Sequence, residues 1–265
     1  MNGSNLPDVL KPLEQGIQNS LKPYVAIEAK PAAQLSVWQS KFGGLPYFPK
    51  DQTYPVDSDG QPVVLLAQFN FAELPALKNF PDKGILQFYI AADDDLYGAD
   101  FDQPLKQDGF RVVYFEEVIR DESQLLTDFS FLPQVQDRLT PITGQYSVQA
   151  ALKQAPVSLS DFSFSRVMLR EPYSGDENDQ FYEIYDEQFD SAGHKLGGYP
   201  CFTQDDPREY DQDIQDYILL FQMDSDHSSD VDIMWGDVGV ANFFIRLEDL
   251  KNRDFSNVLY NWDCG

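Results

Sequence analysis

Basic side chains are scarce in this chain: its 265 residues hold 19 Lys and Arg against 44 Asp and Glu, a formal charge of -25 at pH 7. A duplex nucleic-acid binder needs a basic footprint to release condensed counterions, so nucleic acid is excluded as a partner class. Long apolar runs are also missing. None approaches the roughly 18 residues of a membrane-spanning helix, and no membrane association is expected. Two cysteines, Cys201 and Cys264, are too few for a disulfide scaffold. The opening residues Met1-Asn2-Gly3-Ser4-Asn5 lack the basic and apolar regions of a signal peptide, and Asn2 stands where N-myristoylation requires glycine. A cytoplasmic protein is expected. No P-loop, dinucleotide fingerprint, Gly-x-Ser-x-Gly, His-Glu-x-x-His or Cys-x-x-Cys pattern occurs, and no cofactor is expected.

Aromatic and aliphatic residues are plentiful. Phe and Tyr number 20 and 14, and 42% of the chain is hydrophobic, too much core material for a disordered acidic tail. The pattern also repeats. Lys41-Phe42-Gly43-Gly44-Leu45-Pro46-Tyr47-Phe48 returns 154 residues later as Lys195-Leu196-Gly197-Gly198-Tyr199-Pro200-Cys201-Phe202. At the same offset Leu65-Leu66-Ala67-Gln68 returns as Leu219-Leu220-Phe221-Gln222, and one inserted residue later the run Phe80 to Ile90 matches Trp235 to Ile245. A fainter match sets Val112-Val113-Tyr114 against Val258-Leu259-Tyr260. Several matches in one order indicate an internal duplication.

Each copy reads as short strands. Val63 to Phe69 is apolar apart from Gln68, Gly84 to Ile90 is aromatic and β-branched, and Arg111 to Val118 closes the unit. The spacing leaves no room for a crossover helix at every step, which favours antiparallel pairing. The expected fold is therefore α+β: two antiparallel-β-rich copies packed about a pseudo-twofold axis in a single globular body of residues 1–265. The first copy spans 24–118 after an N-terminal helix over 9–21. The second, acidic copy spans 165–265. A connecting helical or irregular segment covers 119–164, with helical hints at Ser123–Leu132 and Ser147–Lys153. Phe181, Ile184, Tyr185 and Phe189 form a further helical stripe, ended by Gly193.

The runs Lys41-Phe42-Gly43-Gly44-Leu45-Pro46, Leu65 to Phe71, Gly84-Ile85-Leu86-Gln87-Phe88 and Met234-Trp235-Gly236-Asp237-Val238-Gly239 resemble the YwqG family, bacterial cytoplasmic proteins built on a domain of unknown function. The resemblance covers roughly residues 35 to the C-terminus. It implies an α+β fold and a bacterial source and carries over no catalytic residue. Some relatives lie in toxin-associated gene neighbourhoods, which implies an immunity-type role at family level.

Positions alike in both copies serve the fold first. These are Gly43, Gly44 and Pro46 with Gly197, Gly198 and Pro200, read as tight turns entering strands, and Gln68 with Gln222, buried amides that need partners. Trp235-Gly236-Asp237 answers Phe80-Pro81-Asp82, so its Asp caps a turn, while Trp235 and Trp38 are candidates for lining a pocket. Cys201 lies seven residues after His194, a conceivable nucleophile and base, although its counterpart Tyr47 points to an apolar position. Glu116-Glu117, Glu183, Asp186 and Glu187 supply carboxylates for acid-base chemistry, with no spacing that singles out a pair.

The charge is local. Between residues 171 and 232, 18 acidic residues face only Lys195 and Arg208, leaving -9 for the other 203 residues. Within it Asp224, Asp226, Ser228, Asp230 and Asp232 alternate as in a calcium loop, but Ser229 replaces the turn Gly and Trp235 the bidentate Glu. No metal is therefore expected, with a weak possibility at Asp224, Asp226 and Asp230. The expected function is a non-enzymatic binding protein using the acidic second copy, with Asp224, Asp226, Asp230, Asp232, Trp235 and Trp38 as binding candidates and a basic protein or cationic ligand as partner. The alternative is an enzyme or small-ligand binder with its pocket between the copies, near Trp235, Trp38 and the glycine pairs.

Overall fold

A computed structural model describes residues 6–134, 137–168, 176–228 and 230–265, with backbone alone over 176–179. Met1 to Asn5, Glu171 and Ser229 of the sequence reading lie outside the described residues.

The strands are β1 (Lys22–Pro31), β2 (Lys41–Gly43), β3 (Val64–Asn70), β4 (Ile85–Ile90), β5 (Phe110–Phe115), β6 (Gln145–Ala155), β7 (His194–Gly197), β8 (Tyr217–Asp224), β9 (Val240–Arg246) and β10 (Val258–Asp263). All ten join one antiparallel sheet in the order β10-β9-β8-β7-β1-β6-β2-β3-β4-β5. The long β1–β6 ladder, from Lys22 opposite Ala155 to Pro31 opposite Tyr146, joins β2–β5 on one side to β7–β10 on the other. Both flanks bulge at one place in their second strand, between Leu65 and Ala67 and between Leu219 and Phe221.

The sheet curls until its flanks face each other, a nearly closed barrel. Ring centroids meet across the interior at 4.9 Å for Phe69 and Phe221, 4.8 Å for Phe88 and Phe243, and 5.2 Å for Phe110 and Tyr260. The curl explains why β3, β4 and β9 are apolar on both faces: one faces the barrel interior, the other is covered by loops. The edges are masked as well, since Tyr260 N on β10 donates to Pro104 O at 3.0 Å.

Helices are few: α1 (Glu14–Ser20), α2 (Phe164–Met168), α3 (Asp176–Phe189) and α4 (Leu247–Asn252). The chain is thus mainly antiparallel β rather than the expected α+β. Ser147–Lys153, read as helical, lies inside β6, because ladder partners on β1 override its Ala, Leu and Lys propensities. Ser123–Leu132 keeps only the end of a single 3-10 turn, Glu122–Gln124. The expected helix over 9–21 is a 3-10 segment, Asp8–Leu13, before α1, since Pro12 has no N–H for an α-helical bond. Outside the barrel, Leu10, Ile17, Val157, Phe164, Tyr185 and Tyr199 form a second core, in which Tyr185 Oη donates to Val157 O at 2.8 Å.

Candidate functional site

Two buried polar frameworks stand behind the glycine-pair turns. In the first, Gln68 on β3 donates through Nε2 to the carbonyls of Val37 and Gln39, both at 2.8 Å. Its Oε1 accepts from Tyr47 N at 2.8 Å and Gln87 Nε2 at 2.7 Å. Lys41, 1% exposed, reaches back with Nζ to Ser36 O at 3.0 Å and Leu45 O at 2.6 Å, closing the turn. In the second, Gln222 on β8 donates to Gly193 O at 2.8 Å and Ser191 O at 3.2 Å and accepts from Cys201 N at 2.7 Å. Lys195 Nζ donates to Ser191 O, and Asn242 Nδ2 to Cys201 O at 2.8 Å. Burial pushes both lysines down to about 8. Neither ammonium is accessible to a substrate, so both serve the turns. The glycines take φ of +63° and +72° at Gly43 and Gly44 and of +70° and +78° at Gly197 and Gly198, the left-handed region that side chains avoid.

A cleft opens at each turn. The first, about 380 Å³, lies against Gly44 and Leu45 and is closed by Arg138, Thr140, Thr143 and Gln145. Arg138 Nε donates to Pro133 O at 2.9 Å, and burial pushes its pKa down. The second, about 230 Å³, lies between the flanks, with Leu77, Lys78 and Phe80 on one side and Gly197, Gly198 and Ile218 on the other. Among the described residues no carboxylate lines either cleft. A smaller cavity of about 150 Å³ adjoins the second, sharing Lys22, Gly198, Ile218 and Leu219.

Of the residues singled out in the sequence, the turn glycines Gly44, Gly197 and Gly198 line these clefts, and the tryptophans and the alternating aspartates do not. Trp235 is fully buried in the barrel core against Tyr97, Tyr260 and Trp262. Trp38 packs beside Tyr47 and donates through Nε1 to Ile119 O at 2.8 Å. The alternating aspartates serve their own loop. Asp224 accepts from Gly193 N at 2.6 Å and Ser225 N at 2.8 Å, and Asp226 accepts from Ser228 N at 2.8 Å. Asp230 takes a φ of +69°, and exposed Asp232 sits 3.6 Å from His227 Nδ1. Among the described residues no group of three or more His, Cys, Asp and Glu is placed to hold a metal.

His194 is committed elsewhere than to Cys201. Its Nδ1 accepts from Asp224 N at 3.0 Å, so the neutral ring carries its proton on Nε2, which faces Asp226 Oδ2 at 3.4 Å, long for a hydrogen bond. The imidazole and the Ser228 hydrogen bonds hold the Asp226 carboxyl well below the usual range. Burial pushes the Cys201 thiol up, leaving it a poor nucleophile. Of the other carboxylates singled out, Glu116 and Glu117 share Lys83 at 3.1 and 2.5 Å, and Glu183, Asp186 and Glu187 lie exposed along α3.

Two acidic loops are neighbours on the surface. Residues 93–108 carry exposed Asp93, Asp94, Asp95 and Asp102 with Leu96 and Phe101, the latter 52% exposed. Residues 203–216 carry exposed Asp205, Glu209, Asp211 and Asp213 around Tyr210, 72% exposed. Leu105 of the first loop packs on the cluster that holds Phe202 and Ile214 of the second half. The sequence reading missed this pairing and the basic lining of the clefts. The run Asp93-Asp94-Asp95 was its visible signal for the first loop, whereas Lys22, Lys78, Arg138 and Arg166 stand in no motif.

A family profile described as "Domain of unknown function (DUF1963)" matches residues 40–264, and the chain belongs to this family. The matched span begins just before β2 and leaves out β1, which lies inside the sheet. No curated protein matches the chain. Among the described residues no helix is long and apolar enough to cross a membrane.

Proposed function

We propose that the protein is a non-enzymatic binding protein whose acidic loops, 93–108 and 203–216, together receive a basic partner protein. The observation that carries this reading is the exposure of Phe101 and Tyr210, at 52% and 72%, in loops that Leu105 brings together and whose exposed Asp93, Asp94, Asp95, Asp102, Asp205, Glu209, Asp211 and Asp213 form no ion pair among the described residues. A solvated acidic surface has no use for exposed aromatic rings, whereas an interface takes aromatics as anchors and charge for steering. The surface thus extends beyond the second half, where the excess of Asp and Glu is densest. The corresponding lysine, glutamine and glycine positions of the two flanks support descent from a duplicated unit. The quoted runs support YwqG-type bacterial relatives and, with them, a cytoplasmic setting.

Capture from a lysate of the producing organism tests it, with wild type run beside a variant carrying Tyr210→Ala, Asp211→Asn and Asp213→Asn. A basic protein retained by wild type, lost to the variant and released by salt is the expected outcome. A captured set identical for both chains would sink the reading.

A further inference from the structure

We infer that the cleft at Gly198, together with the cavity beside it, is a binding site for a compact small molecule carrying at least two anionic groups. Three cations surround it. Lys22 lines both cavities, Lys78 the larger and Arg166 the smaller. Among the described residues none of the three forms an ion pair with a carboxylate, in a chain whose acids outnumber its bases 44 to 19. Lys22 Nζ instead sits 3.8 Å from the centroid of the Tyr199 ring, and the Arg166 guanidinium 5.8 Å from that of Phe162. Aromatic faces hold these groups in place while leaving their N–H donors unspent.

The acids that line the smaller cavity are already engaged. Asp161 accepts from Arg208 Nη2 at 3.0 Å and from Ser163 N at 2.9 Å, and Asp216 lies 3.2 Å from Arg246. Arg208 is spent in turn, on Asp161, on Asp206 at 2.5 Å and on Tyr217 O at 3.0 Å. One guanidinium, Arg208, faces both Asp161 and Asp206, and Arg246 balances Asp216, so with Lys22, Lys78 and Arg166 the site keeps an excess of two positive charges. Partial burial of the ammonium of Lys22, an exposed residue, lowers its pKa, an effect that nearby Asp161 opposes more weakly. Asn79, Ser163 and Gln215 add neutral polar groups to the walls. With Lys22 between two further cations, one anionic group fits beside Lys22 and Lys78 and a second beside Lys22 and Arg166, whose planar fork suits carboxylate or phosphate. A cavity of about 230 Å³ with one of about 150 Å³ beside it limits the ligand to a few non-hydrogen atoms on each side. The smaller cavity borders the acidic loop 203–216 through Arg208, Gln215 and Asp216, while the three cations lie outside that loop.

Titration calorimetry on the full chain tests it with two probes, pyrophosphate and citrate, at about 0.15 M salt, where a Debye length of about 8 Å screens the distant carboxylates. Saturable one-to-one binding of at least one probe is expected, and which one distinguishes phosphate from carboxylate ligands. Lys22→Met and Arg166→Gln are each expected to weaken it at least about tenfold. Lys11→Gln, which removes a lysine paired with Asp8 elsewhere on the surface, should leave it unchanged. Thermal midpoints establish that the variants fold, and exposed Lys78→Gln decides the matter if Lys22→Met does not. Binding of neither probe at millimolar concentration, or equal weakening by Lys11→Gln and Arg166→Gln, overturns the inference.

Discussion

Around Gln68 the hydrogen-bond framework is closed; around Gln222 it is left open. Gln87 bridges Gln68 and Tyr47 O and receives the Tyr89 hydroxyl at 2.8 Å. The corresponding residues of the other flank are Asn242, one methylene shorter, and Phe244, which has no hydroxyl. Asn242 bonds Cys201 O but not Gln222, and its Oδ1 is buried with no protein partner among the described residues. The flank with the looser framework is also the one that lends Gly198 to the cationic cleft and loop 203–216 to the acidic surface. The first flank thus has the more fully satisfied buried framework, and the second, with an unpartnered Asn242 Oδ1, contributes more of the cleft and loop surfaces described above.

The largest effect tests this asymmetry directly. Gln68→Ala leaves the Tyr47 N–H and one Gln87 N–H unpaired in the core and the half-buried carbonyls of Val37 and Gln39 without their donor, and should cost about 4 kcal/mol. Gln222→Ala loses three bonds, one of them long, and should cost about 2 kcal/mol. Urea midpoints at constant slope measure both. Equal losses would erase the distinction between the flanks.

Next come the turn glycines. A Cβ on Gly43 would lie 2.6 Å from the Gly144 carbonyl oxygen, which belongs to backbone and cannot step aside. A Cβ on Gly197 would lie 2.9 Å from Leu77 Cδ2, the end of a side chain that can rotate. Both substitutions also pay for positive φ. Gly43→Ala is expected to destabilise by about 3 kcal/mol and Gly197→Ala by about 1.5 kcal/mol. Thermal unfolding ranks them, and a larger loss at Gly197 would show that the second turn is the more rigid.

These turns were readable from sequence because glycine pairs before x-Pro have few conformational options, and β3, β4, β8 and β9 because buried strands are continuously apolar. The central pair was not. β1 begins and ends near prolines and alternates only through Val25, Ile27 and Ala29, while β6 buries only Tyr146 among its eleven residues and reads Ala-Ala-Leu-Lys in the middle. Each strand exists because the other supplies its ladder, a non-local fact that no local window contains. The same holds for the cleft at Gly198. Lys22, Lys78 and Arg166 come from β1, the loop before β4 and α2, and only the curl of the sheet and the outer helical core bring them together.

The smallest effect concerns what the flanks share. Lys41 and Lys195 titrate near 8 in the folded protein, below the ordinary 10.5, because burial disfavours the ammonium. Between these values the unfolded chain holds a proton that the native chain has released. Stability should therefore rise with pH from about 8 toward 10, by up to about 1 kcal/mol per pH unit for each lysine; below 8 both states are protonated and the desolvation cost is felt in full. The Cys201 thiol, pushed up from 9.0, works against this rise in the same range, so the informative quantity is the change in slope on substitution. Lys41→Met and Lys195→Met should each flatten the pH dependence of the urea midpoint by a similar amount, whatever either does to absolute stability. A slope that survives Lys195→Met but not Lys41→Met would mean that the second lysine keeps its charge, and that the two turns differ in their buried frameworks as well as in the surfaces they carry.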